Sequence, residues 1–142
     1  MGEIFKCARH PVPRDRDVPC NDCSSLLACR IAVQEIAVVD DDPDQGWELA
    51  DALTAEHRRI RVFQSAMETI RHLVARAYDV LVSDIDMPGM NGLQLAAWVA
   101  RESPRTRIIL ISGRVPDPAL CSNWTFLPKP VSLTKLNAAL QL

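Results

Sequence analysis

The chain has 142 residues, of which 48% are hydrophobic and 24% charged, and its formal net charge is −2. A chain of this size can bury one core and carry a short appendage, and its weak charge disfavours direct binding to nucleic acid or to an anionic membrane. No apolar run reaches the ~18 residues that a membrane-spanning helix needs.

The first 34 residues differ in composition from the rest and are predicted to form an irregular leader. Three prolines lie among mixed charges between positions 11 and 19, and a short helix from about Ser24 to Gln34 is compatible with the sequence. Met1 to Pro19 contains no apolar segment of the kind that directs secretion, so we expect a cytoplasmic protein.

Cysteine and histidine pairs in this leader raise the question of a metal site. Cys7 and His10 are separated by two residues, and so are Cys20 and Cys23. Two pairs with this spacing resemble the ligands of a tetrahedral zinc site. A disordered leader and redox chemistry of the thiols are the alternatives, and the spacing leaves all three interpretations open.

From Ile36 onward, apolar runs of strand length alternate with segments of helical periodicity. The predicted strands are residues 36–39, 60–63, 80–83, 108–111 and 126–127. The predicted helices are residues 44–56, 66–77, 92–102 and 133–140, while residues 113–123 form a loop with at most one helical turn. This alternation predicts an α/β fold, a doubly wound five-stranded parallel sheet flanked by helices, in which the fourth helix is short or absent.

Polar side chains follow four of the predicted strands. Asp40 and Asp41 come after the first strand, Asp84 after the third, Ser112 after the fourth and Lys129 after the short fifth. Because ligands of open α/β sheets bind beyond the carboxyl ends of the strands, these side chains are expected to converge on one site.

The chemistry of these groups favours a phosphoryl site. Carboxylates as close as Asp40, Asp41 and Asp84 repel one another, and oxygen ligands of this kind suit Mg²⁺. Lys129 and Ser112 supply a positive charge and a hydroxyl donor for phosphoryl oxygens, and Asp84, near the centre of the sheet, is the best candidate nucleophile.

Each of these residues also has an ordinary structural interpretation. An aspartate at the end of a strand is often a turn former, and Asp42-Pro43 suits the start of a helix. Ser112-Gly113 and Pro88-Gly89 are typical of turns, and Lys129 of a solvated surface. Because four strand ends all carry a group that phosphoryl chemistry needs, the pattern favours a phosphoryl site over these structural interpretations.

Residues 36 to 142 resemble the response-regulator receiver domain, the phospho-acceptor half of bacterial two-component signalling. The resemblance is to the CheY-like, stand-alone type with a shortened fourth helix, and it implies the strand order 2-1-3-4-5 with the receiver domain at residues 35–142. It also implies the phospho-acceptor Asp84, the direct Mg²⁺ ligand Asp41, its partner Asp40 acting through water, and the backbone carbonyl of Asp86 as a further ligand.

The same resemblance implies a switch. Ser112 matches the family's hydroxyl position and Lys129 its lysine, whose bond to the following Pro130 is commonly cis. Phe126 matches the switch aromatic, three residues before the lysine. The implied partners are a histidine kinase or a histidine phosphotransfer protein as phosphoryl donor and an unknown downstream protein, without an effector domain in the chain.

Two positions of the family that flank the site carry opposite charges here. They are Asp86 and Arg114, and we hypothesise an ion pair between them that slows hydrolysis of phospho-Asp84. The segment between Ser112 and Lys129 is also about five residues shorter than in most receivers, which puts the usual dimer mode in doubt.

Two other functions are compatible with parts of this sequence. Asp84-x-Asp86 after an apolar strand resembles the nucleophile motif of haloacid-dehalogenase phosphatases, but in that family the acidic pair follows the lysine, whereas here it precedes it. A receiver-like binding module that works without phosphorylation is the alternative. The expected protein is therefore a signalling switch, and its own catalysis is limited to phosphotransfer and autodephosphorylation.

Overall fold

The computed structural model describes residues 5–7, 10–14, 33–55 and 57–141. The chain divides into two compact units, residues 1–33 and 34–142. In the first unit, β1 (Phe5–Cys7) and β2 (His10–Arg14) form a two-stranded antiparallel sheet, which differs from the predicted irregular leader. The helix predicted up to Gln34 does not reach that residue, which begins a strand, and the rest of that prediction lies outside the described residues.

The second unit alternates strands and helices. Its strands are β3 (Gln34–Val39), β4 (Arg58–Phe63), β5 (Val80–Asp84), β6 (Arg107–Ser112) and β7 (Thr125–Pro128). Its helices are α1 (Pro43–Leu53), α2 (Ala66–Ala75), α3 (Gly92–Glu102), α4 (Pro118–Cys121) and α5 (Leu133–Gln141). The predicted elements are all found, with ends that shift by up to three residues.

The five strands pair in the order β4-β3-β5-β6-β7, and every pair is parallel. This is the 2-1-3-4-5 order that the resemblance implied, and it confirms the predicted fold class. β5 is therefore the central strand, and the residue that ends it, Asp84, lies in the middle of the sheet edge.

Both faces of the sheet are buried, which is why its strands read as continuous apolar runs. Along β3, Ala37 and Val39 pack into the cluster that includes Leu95 of α3. The alternate residues, Ile36 and Val38, pack into the cluster on the other face with side chains of α1 and α5. Alternation of side chains along a strand divides one apolar run between two cores.

The third helix has the predicted ends, but only part of its buried face was predicted. Asn91 begins it with a capping box, in which its side chain accepts from the backbone N–H of Gln94 and the Gln94 side chain accepts from the N–H of Asn91. The apolar residues of the sequence predict an inner face formed by Leu93, Ala96, Ala97 and Ala100. Ala96 is buried and Leu93 partly buried, as predicted, but the prediction was wrong for Ala97 and Ala100, which are exposed. Leu95 and Val99 are buried in their place, because larger side chains fill the space against the sheet.

The fourth helix is a single turn, as the sequence predicted. It begins after Asp117, whose side chain accepts a hydrogen bond from the backbone N–H of Ala119, and ends at Cys121. None of the described helices combines the length and the hydropathy of a membrane-spanning segment.

Candidate functional site

The ends of four strands bring the predicted polar residues to one edge of the sheet. Asp40 follows β3, Asp84 ends β5, Ser112 ends β6 and Lys129 follows β7. The sheet itself spaces them, because each strand is hydrogen-bonded to the next in parallel register.

Three carboxylates form the floor of the site. One carboxylate oxygen each from Asp40, Asp41 and Asp84 lies within 4.8 Å of the others. Asp40 and Asp84 are 5% and 7% exposed, whereas Asp41 is exposed. Burial raises the pKa of Asp40, and the charges of the two neighbouring aspartates add to this effect. A backbone hydrogen bond from Asp42 and the charge of Lys129 oppose it.

This donor set suits a hard divalent cation. Its ligands are carboxylate oxygens, and Lys129 alone among the described side chains forms ion pairs with them, which leaves negative charge for a metal to neutralise. The raised pKa of Asp40 reflects the same excess of negative charge and burial. The residues present therefore fit Mg²⁺.

Lys129 joins two of the carboxylates. Its Nζ lies 3.3 Å from Oδ2 of Asp84 and 3.7 Å from Oδ2 of Asp40. The backbone N–H of Lys129 donates to the carbonyl of Ser112, and its bond to Pro130 is cis, as the resemblance implied. The ammonium is thus held beside the carboxylate that the sequence predicts to be the nucleophile.

The N-terminal end of α1 contacts Lys129 through a residue that sequence reasoning missed, Gln45. Asp42 caps α1, as its Asp-Pro context predicted, by accepting from the backbone N–H groups of Asp44 and Gln45. Gln45 donates through Nε2 to Oδ2 of Asp42 and accepts through Oε1 from Lys129 at 2.8 Å. Its position three residues after an N-cap was the available signal.

Ser112 hydrogen-bonds to both residues of the hypothesised Asp86–Arg114 ion pair. Its Oγ lies 3.0 Å from Oδ2 of Asp86, and the same Oγ accepts from the backbone N–H of Arg114 at 3.0 Å. No ion pair joins Asp86 to Arg114 among the described residues, so the hypothesis of that pair was wrong. The Asp86 carboxylate contacts the serine hydroxyl, and Arg114 contributes its main chain.

The main chain around Asp84 is tightly fixed. The N–H of Ile85 donates to the carbonyl of Ile111 on β6, and the N–H of Gly92 donates to the carbonyl of Ile85, both at 2.9 Å. The N–H of Asp86 lies 3.3 Å from Oδ1 of Asp84. A Cβ at Gly92 would overlap the carbonyl oxygen of Asp84, so only glycine lets α3 begin this close to the end of β5.

Phe126 lies on β7 opposite Leu110 of β6. It is partly buried and packs against the cluster that includes Leu95 and Val99. It therefore occupies the strand next to the one that ends in Ser112.

A cleft of about 530 Å³ opens beside the site. It lies between α1 and the segment that leads into α5, with Leu49 and Val131 among its walls. Asp40, Asp84 and Lys129 line the same cleft, so its apolar walls end at the charged groups.

The predicted zinc ligands are only partly within the described residues. Cys7 and His10 lie opposite each other in the β1–β2 sheet. Cys20 and Cys23 lie outside the described residues, and neither the described part of the chain nor the comparisons with known proteins supports a zinc site.

Comparison with known proteins gives a match to one family model. The model described as the response regulator receiver domain matches residues 36–141. Among curated proteins, the DNA-binding transcriptional regulator NtrC of Klebsiella pneumoniae is 34% identical over 101 residues, which are 68% of this chain. The chain spans only 22% of the length of that relative.

Solved structures show the same fold. The receiver domain of an HD domain-containing protein from Pseudomonas fluorescens Pf-5 has a TM-score of 0.69 and 26% identity, covering 76% of this chain and 91% of that one. The response regulator TrrA of Thermotoga maritima, solved in complex with Mg²⁺-BeF, has a TM-score of 0.70 and 23% identity, covering 76% and 96%.

Proposed function

The chain belongs to the response regulator receiver domain family, and we propose that it accepts a phosphoryl group on Asp84 from a phosphorylated histidine. The observation that carries this proposal is the contact between Lys129 Nζ and Asp84 Oδ2 at 3.3 Å, beside the carboxylates of Asp40 and Asp41. Receivers are phosphorylation-dependent switches as a family, and this site retains each polar group that the reaction needs.

In the proposed reaction, a carboxylate oxygen of Asp84 bonds to phosphorus as the bond from phosphorus to the donor imidazole nitrogen breaks. The ammonium of Lys129 pairs with phosphoryl oxygens, which develop charge in the transition state. The carboxylates of Asp40, Asp41 and Asp84 and the backbone carbonyl of Asp86 would hold Mg²⁺, which when bound supplies positive charge that neutralises those oxygens.

The switch follows from the two residues on neighbouring strands. Ser112 turns to donate its hydroxyl to a phosphoryl oxygen, and Phe126 on the adjacent strand moves into the space that this leaves. A change in two side chains at the sheet edge then shifts the population of a surface that an unidentified downstream protein recognises.

The donor is proposed to dock over the cleft beside the site. A histidine kinase or a histidine phosphotransfer protein must bring its phosphorylated imidazole to Asp84, and the apolar walls at Leu49 and Val131 offer a surface that leads there. We also propose that the protein is cytoplasmic, as the composition of residues 1–19 predicts.

Intact-mass measurement tests the proposal. The protein is incubated with acetyl phosphate and Mg²⁺, and we expect the wild type to gain one phosphoryl group. Asp84→Asn should abolish this gain. Asp51→Asn, a change at an exposed position of α1, is the control and should retain it. A wild-type protein that gains no phosphoryl group and does not respond to beryllofluoride would contradict it. That result would favour the alternative, a binding module that works without phosphorylation.

A further inference from the structure

The hydroxyl of Ser112 is already committed to a partner in the structure. Its Oγ accepts from the backbone N–H of Arg114 and lies 3.0 Å from Oδ2 of Asp86. A hydroxyl has a single hydrogen to donate, and a carboxylate can only accept, so that hydrogen belongs to the bond with Asp86. Ser112 is 2% exposed, and bulk water therefore does not replace this acceptor.

This bond competes with the step proposed for the phosphorylated state, on which the inference rests. Ser112 cannot donate one hydrogen both to the carboxylate of Asp86 and to a phosphoryl oxygen on Asp84. Both acceptors are anionic, so each bond is charge-assisted and the two are comparable in strength. Occupation of the site by a phosphoryl group must therefore break the bond between Ser112 and Asp86.

We propose that Asp86 is a positioning residue that holds Ser112 in its resting orientation and so opposes occupation of the Asp84 site by a phosphoryl group. Its main chain is anchored at the site, since its N–H lies 3.3 Å from Oδ1 of Asp84. Its side chain reaches across to β6, and the two contacts join the ends of β5 and β6. Asp86 thus shifts the conformational equilibrium of the unphosphorylated protein towards the resting state.

Asp86 is well suited to a mutational test. It is exposed, so its truncation leaves no cavity in the core, and its backbone carbonyl is unaffected by a change of side chain. Asparagine at this position keeps an oxygen that accepts from the serine hydroxyl but removes the charge.

The experiment measures the affinity of each variant for beryllofluoride, a phosphoryl mimic, by calorimetry at saturating Mg²⁺. We expect Asp86→Ala to bind about three- to tenfold more tightly than the wild type, because the mimic no longer competes with a bond to a charged acceptor. Asp86→Asn is expected to lie between the two. In a Ser112→Ala background, Asp86→Ala should change the affinity by less than about twofold.

Asp44→Ala, which removes an exposed carboxylate from the first turn of α1, serves as the matched control and should bind as the wild type does. If Asp86 instead acted by repelling the charge of the mimic, Asp86→Asn and Asp86→Ala would have the same affinity for beryllofluoride. The gain in affinity from Asp86→Ala would then also persist in the Ser112→Ala background. Either of these results, or an Asp86→Ala affinity equal to or weaker than that of the wild type, overturns the inference.

A different result identifies failure of the proposed function. A wild-type protein that does not bind beryllofluoride with Mg²⁺ has no phosphoryl-like state, and the function and the inference then fail together. Binding by the wild type with no gain in Asp86→Ala leaves the function standing and removes only the role of Asp86.

Discussion

At the scale of single residues, the buried Tyr78 carries a hydroxyl that forms no hydrogen bond within the described part of the chain. The residue is 3% exposed, and its ring meets that of Phe63 edge to face at 6.2 Å. A buried polar atom without a partner costs about 1–3 kcal/mol of stability. The hydroxyl therefore destabilises the folded state, whereas the ring stabilises it by packing in the core.

We predict that Tyr78→Phe leaves the free energy of unfolding unchanged or raises it by up to about 1 kcal/mol, because it removes an unpaired polar atom and keeps the ring. Urea denaturation measures the change. Thr106→Val is the matched control, since the buried Thr106 hydroxyl donates to the carbonyl of Tyr78 at 2.7 Å, and its loss should cost about 1 kcal/mol. A comparable loss in Tyr78→Phe would contradict the prediction.

The same residue predicts a dependence on alkaline pH. Burial raises the pKa of Tyr78 above its ordinary value of 10.0, an effect that Arg61 and Arg76 oppose. The unfolded chain then loses this proton first, so stability falls as pH rises above about 10. Tyr78 is the single tyrosine, so ultraviolet titration of tyrosinate should give a midpoint above 10 in the native protein and near 10 in denaturant. Equal midpoints would refute this.

Asp40 gives a second prediction at this scale. Its raised pKa means that the folded state holds the proton more tightly than the unfolded chain, so stability falls as pH rises from 3.8 through the raised value. At neutral pH without metal, we expect Asp40→Asn to raise the free energy of unfolding by about 1 kcal/mol.

Asp41→Asn is the matched control for this change. Asp41 belongs to the same cluster but is exposed, so its substitution should alter stability by less than about 0.5 kcal/mol. Both variants should lose the rise in melting temperature that we expect Mg²⁺ to give the wild type. A destabilised Asp40→Asn in metal-free buffer would show that the carboxylate contributes more by bonding to the N–H of Asp42 than it costs by burial.

At the scale of elements, the start of α3 sets the position of Asp84, the proposed phospho-acceptor. Gly92 lies so close to the end of β5 that a Cβ would overlap the carbonyl oxygen of Asp84 and lie 2.8 Å from Cα of Ile85. Main-chain atoms cannot move aside as a flexible side chain can. The helix and the strand end are therefore coupled through a position that only glycine fits.

We predict that Gly92→Ala lowers the free energy of unfolding by about 2–3 kcal/mol and slows phosphorylation of Asp84, because α3 must retreat and shift the acceptor. Gly113→Ala is the matched control: a Cβ there meets nothing within 4 Å, and stability should hold or rise slightly. Chemical denaturation and the intact-mass assay measure the two effects. Wild-type stability in Gly92→Ala would show that the contact relaxes without cost.

At the scale of the whole molecule, every residue of the candidate site lies in the unit formed by residues 34–142. Both hydrophobic clusters also lie within this unit, and each packs one face of the same sheet. A unit that contains its own cores and its own site meets the physical requirements of an independent domain.

We predict that a protein beginning at Val33 unfolds in one cooperative transition and gains the phosphoryl group at a rate within about twofold of the full chain, since it retains the complete core and site. Thermal unfolding and the intact-mass time course measure these properties, with the full chain as the control. A truncated protein that aggregates or gains no phosphoryl group would assign a structural role to the leader.

The sequence by itself determined the fold and the residues that meet at the candidate site, except Gln45. Apolar, β-branched runs at residues 36–39, 80–83 and 108–111, alternating with segments of helical periodicity, predict strands buried on both faces, and a parallel sheet brings their carboxyl ends to one edge. The convergence of Asp40, Asp84, Ser112 and Lys129 follows from that geometry.

Only the tertiary structure decided which partner each polar group takes. Ser112 bonds to Asp86, 26 residues away, and Lys129 to Gln45, 84 residues away, and neither pair is visible in the sequence. The same holds for the inner face of α3, where Leu95 and Val99 are buried and the predicted Ala97 and Ala100 are not. Hydrogen bonds form over about 3 Å, and loop conformation sets which groups come that close, whereas periodicity fixes only the face or edge on which a residue lies.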